Sequence, residues 1–178
     1  MPYVPPADPL LAAVRTVPDF PAPGVAFKDL TPVLADAALA AEMLARLAAP
    51  WLSAGVTHVV GVEARGFWFG PGLAARLGAG FVPARKPGKL PAATLAATYA
   101  LEYGTDTVEL HADALSPGCR VLVHDDVLAT GGTAAAVCAL VGQAGATLAG
   151  VSVVLEIPAL AGRARLPAGV PVEAVLAV

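Results

Sequence analysis

The sequence predicts an α/β protein in which a parallel β-sheet is flanked by helices. Short apolar runs rich in β-branched residues recur along the chain, and segments with helical periodicity separate them. The runs are apolar throughout instead of alternating with polar residues, which is typical of strands buried on both faces. Strands that alternate with helices in this way pack as a parallel sheet with helices on both faces.

The N-terminal part begins with an irregular arm. Residues 18–32 are rich in Pro and Gly, which predicts an extended segment without regular structure. A helix is predicted over 36–54, because Asp36 can cap it and Gly55 can end it. The apolar residues recur on one face of this helix: Leu39, Met43, Leu47 and Trp51.

The rest of the core alternates strands with helices. We predict strands over 57–62 and 81–85 with a helix over 65–77 between them. A second group consists of a strand over 120–124 and a helix over 133–144. The last strands are predicted over two apolar runs, 147–155 and 170–176.

A hairpin is predicted between these groups. Residues 94–103 and 107–111 favour two strands, joined by a turn over 104–106. Their side chains are more polar and aromatic than those of the core strands. We therefore expect 94–111 to project from the domain as a lid.

Composition and charge exclude several classes of function. Only 14% of the residues are charged and the net charge is −3, with no basic stripe, so we expect no nucleic-acid partner. No charged residue occurs over 127–155, but Gly and polar residues interrupt this run, which favours buried elements over a membrane span. The two cysteines lie far apart, and the first residues lack the basic and apolar regions of a signal peptide. We therefore expect a cytoplasmic protein without a membrane partner.

The most informative segment joins the strand over 120–124 to the helix over 133–144. Asp125 and Asp126 follow the strand, and a loop of small residues then leads into the helix: Ala129, Thr130, Gly131, Gly132 and Thr133. The backbone N–H groups of such a loop, together with the helix N-terminus, can close around a phosphate. Because the two acids can accept hydrogen bonds from neighbouring hydroxyls, the segment predicts a site for a ribose 5-phosphate at the carboxyl end of a strand. The alternative is a strand–turn–helix in which Asp126 only caps the turn.

Two further segments carry cations near predicted strand ends. In 63–67 a strand ends and a helix begins, so that free N–H groups face outward beside Arg65, whose forked guanidinium suits phosphate. The turn over 85–89 contains Arg85, Lys86 and Lys89. The alternative for 63–67 is an ordinary capped helix start with a surface Arg. The usual explanation for a turn such as 85–89 is a solvated surface turn, but its position just past a core strand and beside two anion loops favours a site for a diphosphate.

The segment over 121–133 resembles the phosphoribosyl diphosphate signature of the type I phosphoribosyltransferases. Four other blocks resemble the adenine-specific branch of that family: 18–29, 63–67, 85–91 and 101–104. The resemblance implies a single domain over 1–178 with the type I phosphoribosyltransferase fold. In it the arm over 18–32 forms a small hood and the hairpin forms a flexible lid.

The resemblance also implies a reaction: adenine and 5-phosphoribosyl 1-diphosphate give AMP and diphosphate, in purine salvage. Glu102 would be the catalytic acid–base group, and Arg65, Lys86 and Lys89 would bind the diphosphate. Adenine would be bound by Ala26, Phe27, Lys28 and Val127. Mg²⁺ would be the cofactor, held mainly by substrate and water, and the protein would be a homodimer.

The resemblance further implies a non-proline cis peptide at Glu63–Ala64. Two rival functions remain: a phosphoribosyltransferase for another base, and a non-catalytic regulator that binds nucleic acid. The block over 102–104 disfavours the first, and the acidic charge balance disfavours the second.

Overall fold

The computed structural model describes residues 8–101 and 104–178. The chain forms two compact units, one ending at Arg46 and the other beginning at Leu47. In the first unit, helix α1 (Pro9–Ala13) precedes an antiparallel pair of strands, β1 (Arg15–Val17) and β2 (Phe27–Asp29). Helices α2 (Thr31–Ala35) and α3 (Ala37–Ala48) follow.

The arm is more regular than the sequence predicts. Strand β2 lies inside 18–32, where no strand is expected, and α2 begins there as well. Both elements depend on contacts with residues outside the arm or near its end. Arg15 Nε lies 3.2 Å from Asp29 Oδ2 across the β1–β2 pair, and Asp29 Oδ1 accepts a hydrogen bond from the backbone N–H of Thr31 at 2.9 Å.

Helix α3 begins as predicted and ends earlier. Asp36 Oδ1 accepts hydrogen bonds from the N–H groups of Ala38 and Leu39, at 2.8 and 3.1 Å, which satisfies donors of the first turn. The α-helix ends at Ala48 instead of reaching residue 54, and a single 3₁₀ turn follows over Ala49–Trp51. Pro50 is the reason, because it has no N–H to continue the i to i−4 ladder.

The second unit contains the parallel sheet that the sequence predicts. In chain order it consists of β3 (His58–Val62), α4 (Gly70–Leu77), β4 (Gly80–Ala84), β5 (Thr94–Leu101), β6 (Gly104–His111), β7 (Arg120–Leu128), α5 (Gly132–Gln143), β8 (Thr147–Glu156) and β9 (Val172–Ala177). The sheet has the strand order β4–β3–β7–β8–β9, and all its pairs are parallel. Strands β5 and β6 form the separate antiparallel hairpin.

The strand order creates a crevice between β3 and β7. From β3 the chain crosses through α4 to β4 on one side, whereas from β7 it crosses through α5 to β8 on the other. Right-handed crossovers in opposite directions place the two helices on opposite faces of the sheet. The carboxyl ends of β3 and β7 therefore border the topological switch point, where open parallel sheets bind ligands.

Three predicted boundaries in this unit are wrong. The helix over 65–77 is interrupted: a 3₁₀ turn covers Arg65–Phe67, and α4 begins only at Gly70, where Pro71 favours a helix start. The hairpin turn does not lie over 104–106, because these residues belong to β6. Strand β7 does not end at residue 124 but continues to Leu128, since β8 keeps pairing with it as far as Glu156.

The helices of the described segments, 8–101 and 104–178, are too short or too polar to cross a membrane.

Candidate active site

The predicted phosphate loop connects β7 to the N-terminus of α5. Gly131 is the N-cap of α5 and has a φ of 79°, a left-handed conformation that favours glycine. A Cβ at Gly131 would lie 2.2 Å from the carbonyl oxygen of Gly162, and one at Gly162 would lie 2.3 Å from that of Ala129. The loop therefore keeps its shape because two glycines allow two backbone segments to touch. It encloses a cavity of about 70 Å³, lined by residues that include Ala129 and Thr133.

Two neighbouring carboxylates lie in the last part of β7. Asp126 is buried, with 4% of its surface exposed, and its Oδ2 lies 3.0 Å from Nε of Arg65. No N–H or O–H among residues 8–101 and 104–178 is aligned to donate a hydrogen bond to that oxygen. Oδ1 of Asp125 accepts a hydrogen bond from the backbone N–H of Asp126 at 2.8 Å. The site thus contains a carboxylate oxygen that can still accept a hydrogen bond from a ligand.

Burial controls the protonation of this pair. Burial and the adjacent charge of Asp126 raise the pKa of Asp125 well above its usual range. Burial also raises the pKa of Asp126, although the guanidinium of Arg65 acts in the opposite direction. A cation and ligand hydroxyls that donate hydrogen bonds to the pair would lower both pKa values.

A cavity of about 240 Å³ lies beside the acidic pair. It brings together three groups of residues that are far apart in the sequence: 62–65, Lys86 with Tyr99, and the β7–α5 segment. The members of the last group are Asp125, Asp126, Val127, Ala129 and Thr133. Arg65 and Lys86, both predicted to bind diphosphate, therefore share a cavity with the predicted ribose ligands. Lys89 is exposed and does not line this cavity.

The segment after β3 forms the wall of the cavity at the switch point. The Glu63–Ala64 peptide bond is cis, as the family resemblance implies. A Cβ at Gly66 would lie 2.9 Å from the carbonyl oxygen of His124. Glycine at this position therefore allows close approach to the backbone of β7.

Glu63 fixes the cationic turn to this wall. Its Oε2 accepts hydrogen bonds from Arg85 Nε at 3.1 Å and from the backbone N–H of Lys86 at 3.0 Å. Partial burial acts to raise the pKa of Glu63, but these hydrogen bonds and the charge of Arg85 outweigh it and lower the pKa. Sequence reasoning did not assign a role to Glu63, because only the pairing of β3 with β4 brings it to the turn.

The hairpin contributes two polar residues that sequence reasoning also missed. Tyr99 on β5 and Asp106 on β6 lie opposite each other in the strand register. Asp106 is ion-paired with Lys86, and the Tyr99 hydroxyl accepts a hydrogen bond from Thr133 Oγ1 at 3.1 Å. A turn placed over 104–106 conceals this pair, because Asp106 then lies in the turn and not in a strand.

The predicted adenine residues lie in both units. Ala26, Phe27 and Lys28 belong to the first unit, and Val127 belongs to the second. Phe27 packs edge-to-face with Phe20, with ring centroids 5.1 Å apart. A cavity of about 180 Å³ is lined by aromatic and aliphatic side chains together with Asp29.

The Lys28 ammonium donates a hydrogen bond to Thr16 Oγ1 at 3.0 Å, which leaves the side chain engaged on the neighbouring strand β1. Glu102, the predicted acid–base group, lies outside the described residues.

Comparison with known proteins matches this arrangement to one family. Residues 30–167 match the family model of the phosphoribosyl transferase domain. The adenine phosphoribosyltransferase of Acidothermus cellulolyticus is 55% identical over 168 residues, which cover 93% of this chain and 95% of that protein.

Two crystal structures extend the comparison to the fold. The adenine phosphoribosyltransferase of Rhodothermus marinus is 55% identical and superposes with a TM-score of 0.91, covering 95% of this chain and 96% of that one. The Saccharomyces cerevisiae enzyme, in complex with D-2,5-dideoxy-2,5-imino-altritol 1,6-bisphosphate and adenine, is 40% identical with a TM-score of 0.89 and covers 94% of this chain and 96% of that one.

The fold and the matched domain define a phosphoribosyltransferase of type I. Within that class the chain belongs to the adenine phosphoribosyltransferase family, the enzymes of purine salvage that form AMP.

Proposed function

We propose that the chain transfers the phosphoribosyl group of 5-phosphoribosyl 1-diphosphate to adenine and releases diphosphate. The observation that supports this most strongly is the cavity in which the phosphate loop, the acidic pair and two cations meet. The loop over 129–133 would bind the 5-phosphate. Asp125 and Asp126 would accept hydrogen bonds from the two ribose hydroxyls.

The free lone pair of Asp126 supports this placement. Its buried Oδ2 lies 3.0 Å from Nε of Arg65 but accepts no aligned hydrogen bond from the described parts of the chain. A ribose hydroxyl would supply the donor.

The diphosphate would bind to Arg65, Lys86 and Lys89. Arg65 and Lys86 line the cavity, so we assign them to the same site as the ribose. Lys89 lies outside that lining, and its proposed role requires a movement of the turn over 85–89 or a second subunit.

The chemical step requires alignment and charge stabilisation. A purine nitrogen attacks the anomeric carbon while its bond to the diphosphate oxygen breaks, and positive charge develops on the ribose ring. The chain would hold the reacting atoms in line and stabilise the departing anion. Glu102 would exchange the proton of the purine imidazole, since a carboxyl in a water-excluded site can act as a general acid–base group.

The base would be held by the arm and by β7. Phe27 would stack on the purine, the backbone of Ala26 and Lys28 would read its edge, and Val127 would also bind adenine. Because the Lys28 ammonium is engaged with Thr16, we assign recognition to the backbone at this position. The yeast relative that was crystallised with adenine supports the choice of base.

We propose Mg²⁺ as the cofactor, bound mainly by the diphosphate and by water. The cavity offers carboxylate oxygens, which are the ligands Mg²⁺ prefers, but one of its two β7 carboxylates faces Arg65. When bound, Mg²⁺ would neutralise charge on the leaving diphosphate.

We further propose a homodimer that acts in the cytoplasm. In such a dimer the turn over 85–89 would approach the site of the neighbouring subunit, which would give the exposed Lys89 a ligand to bind. The two described cysteines are both unpaired, as expected for a protein of a reducing compartment.

One assay tests the proposed reaction and the choice of base. The protein is incubated with Mg²⁺, the diphosphate donor and one base at a time, and released diphosphate is measured. We expect turnover with adenine and a rate lower by roughly 100-fold or more with hypoxanthine, because a 6-oxo group leaves the polar groups that read the amino edge unpaired. Equal rates with the two bases would contradict the proposal.

A further inference from the structure

A chain of hydrogen bonds runs from the phosphate loop through the hairpin to the cationic turn. Thr133 Oγ1 donates to the hydroxyl of Tyr99 at 3.1 Å, and that hydroxyl donates to Asp106 Oδ2 at 3.0 Å. The Lys86 ammonium donates to the same oxygen and lies 3.4 Å from the Tyr99 hydroxyl. The backbone N–H of Thr107 donates to the other oxygen of Asp106 at 2.8 Å.

The direction of each hydrogen bond in this network follows from which groups can donate and which can only accept. A carboxylate can only accept hydrogen bonds, so the proton of Tyr99 points to Asp106. The Tyr99 oxygen is then an acceptor, and the single hydroxyl proton of Thr133 points to it. Thr133 consequently directs its proton to the hairpin and not into the phosphate loop.

Asp106 is a charged anion in this arrangement. The hydrogen bond from Lys86 outweighs partial burial and lowers the pKa of Asp106, which keeps the carboxylate ionised at neutral pH. Lys86 therefore donates a hydrogen bond directly to Asp106. Thr133 donates to Tyr99, which in turn donates to Asp106. Lys86 and Thr133 are two of the groups to which we assign the diphosphate and the 5-phosphate of the donor.

We propose that Asp106 is a positioning residue that, through Lys86 and Tyr99, occupies the anion-binding groups of the free enzyme and gives them up when the phosphoribosyl donor binds. Asp106 then competes with the donor, because Lys86 and Thr133 cannot serve both anions with the same protons. Donor binding breaks the link between the hairpin and the donor site. The inference rests on the proposed role of Lys86 and Thr133 as donor ligands.

The first experiment measures inorganic diphosphate binding by calorimetry in wild type and Asp106→Asn. The ion pair is partly exposed, with 41% of the Lys86 side chain and 28% of the Asp106 side chain accessible. Partly exposed pairs are weak, so we expect diphosphate to bind about two- to tenfold more tightly to the variant. Asp113→Asn removes the same charge from an exposed position outside the network and is the matched control, for which we expect a smaller change.

A mutant cycle identifies the partner. In a Lys86→Met background, Asp106→Asn should no longer improve diphosphate binding, because the group that Asp106 occupies is absent. Tyr99→Phe should strengthen the binding of ribose 5-phosphate, since it leaves the Thr133 hydroxyl free to donate to the phosphate. In steady-state kinetics, Asp106→Asn should lower KM for the donor without raising kcat.

Weaker or unchanged diphosphate binding in Asp106→Asn would overturn the inference. Weaker binding would mean that Asp106 holds Lys86 in position for the phosphoribosyl donor. Failure of the proposed site is a different outcome: Lys86→Met would then bind diphosphate as well as wild type, and Thr133→Val would bind ribose 5-phosphate normally. Thermal unfolding of each variant identifies any that lose affinity because they fail to fold.

Discussion

His124 should make the stability of this protein depend on pH between about 6.5 and 4. Its side chain is completely buried in β7, where Nδ1 lies 3.0 Å from the carbonyl oxygen of Ser152. Nε2 is buried as well and has no hydrogen-bond partner within residues 8–101 and 104–178. Burial lowers the pKa of His124 from 6.5 to about 4, so the folded protein keeps a neutral imidazole while the unfolded chain takes up a proton.

The sign and size of the effect follow from proton linkage. As pH falls below 6.5 the unfolded state binds more protons than the folded state, and the free energy of unfolding decreases. The pKa difference corresponds to about 3 kcal/mol once pH is below the folded pKa, at roughly 1.4 kcal/mol per unit. Between about pH 7 and about pH 5 the expected loss is about 2 kcal/mol.

The assay is urea unfolding of wild type and His124→Leu at both pH values. The variant has no titratable group at this position, so the difference in unfolding free energy between the two proteins should shift by about 2 kcal/mol in favour of the variant at the lower pH. Ser152→Ala is the matched control, because it changes the residue paired with His124 in β8 without adding or removing a titratable group. A difference between wild type and His124→Leu that is the same at both pH values would refute the reasoning.

Three other predictions concern the proposed reaction. Glu102→Gln should reduce kcat by roughly two to four orders of magnitude with little change in donor affinity, and a kcat within about threefold of wild type, with chemistry limiting, would exclude Glu102 as the acid–base group. Gly132→Val should abolish donor binding in calorimetry while leaving the fold largely intact, because its branches fill the space of the 5-phosphate; wild-type affinity would refute the loop assignment. Light scattering of active protein at micromolar concentration should give the mass of a dimer, whereas a monomer mass would contradict the proposed approach of the 85–89 turn to a second site.

The elements predicted correctly are those whose sequences carry a local cause. Asp36 caps α3 with its own side chain, and α5 is an apolar segment that follows a glycine-rich loop. The boundaries predicted wrongly depend on partners elsewhere in the chain. Strand β7 continues through the acidic pair because β8 pairs with it. Two adjacent carboxylates do not fit the apolar pattern by which the sequence predicts a buried strand.

The candidate site divides in the same way. The loop over 129–133 and the acidic pair could be predicted because their residues form one continuous segment at the end of a strand. Glu63, Tyr99 and Asp106 were not predicted, since each acquires its partner only through strand register or packing. Lys86 was predicted to bind diphosphate, and its ion pair with Asp106 of the hairpin was not predicted.

The sequence by itself therefore determined the class of fold, the loop of small residues before α5, the acidic pair and the family. These properties depend on residues that are neighbours in the chain. The tertiary structure decided which glycines allow backbones to touch, where β7 ends and which groups Asp106 occupies. Gly131 illustrates the reason: its missing Cβ matters because the carbonyl oxygen of Gly162 lies against it, and no local pattern places residues that far apart in contact.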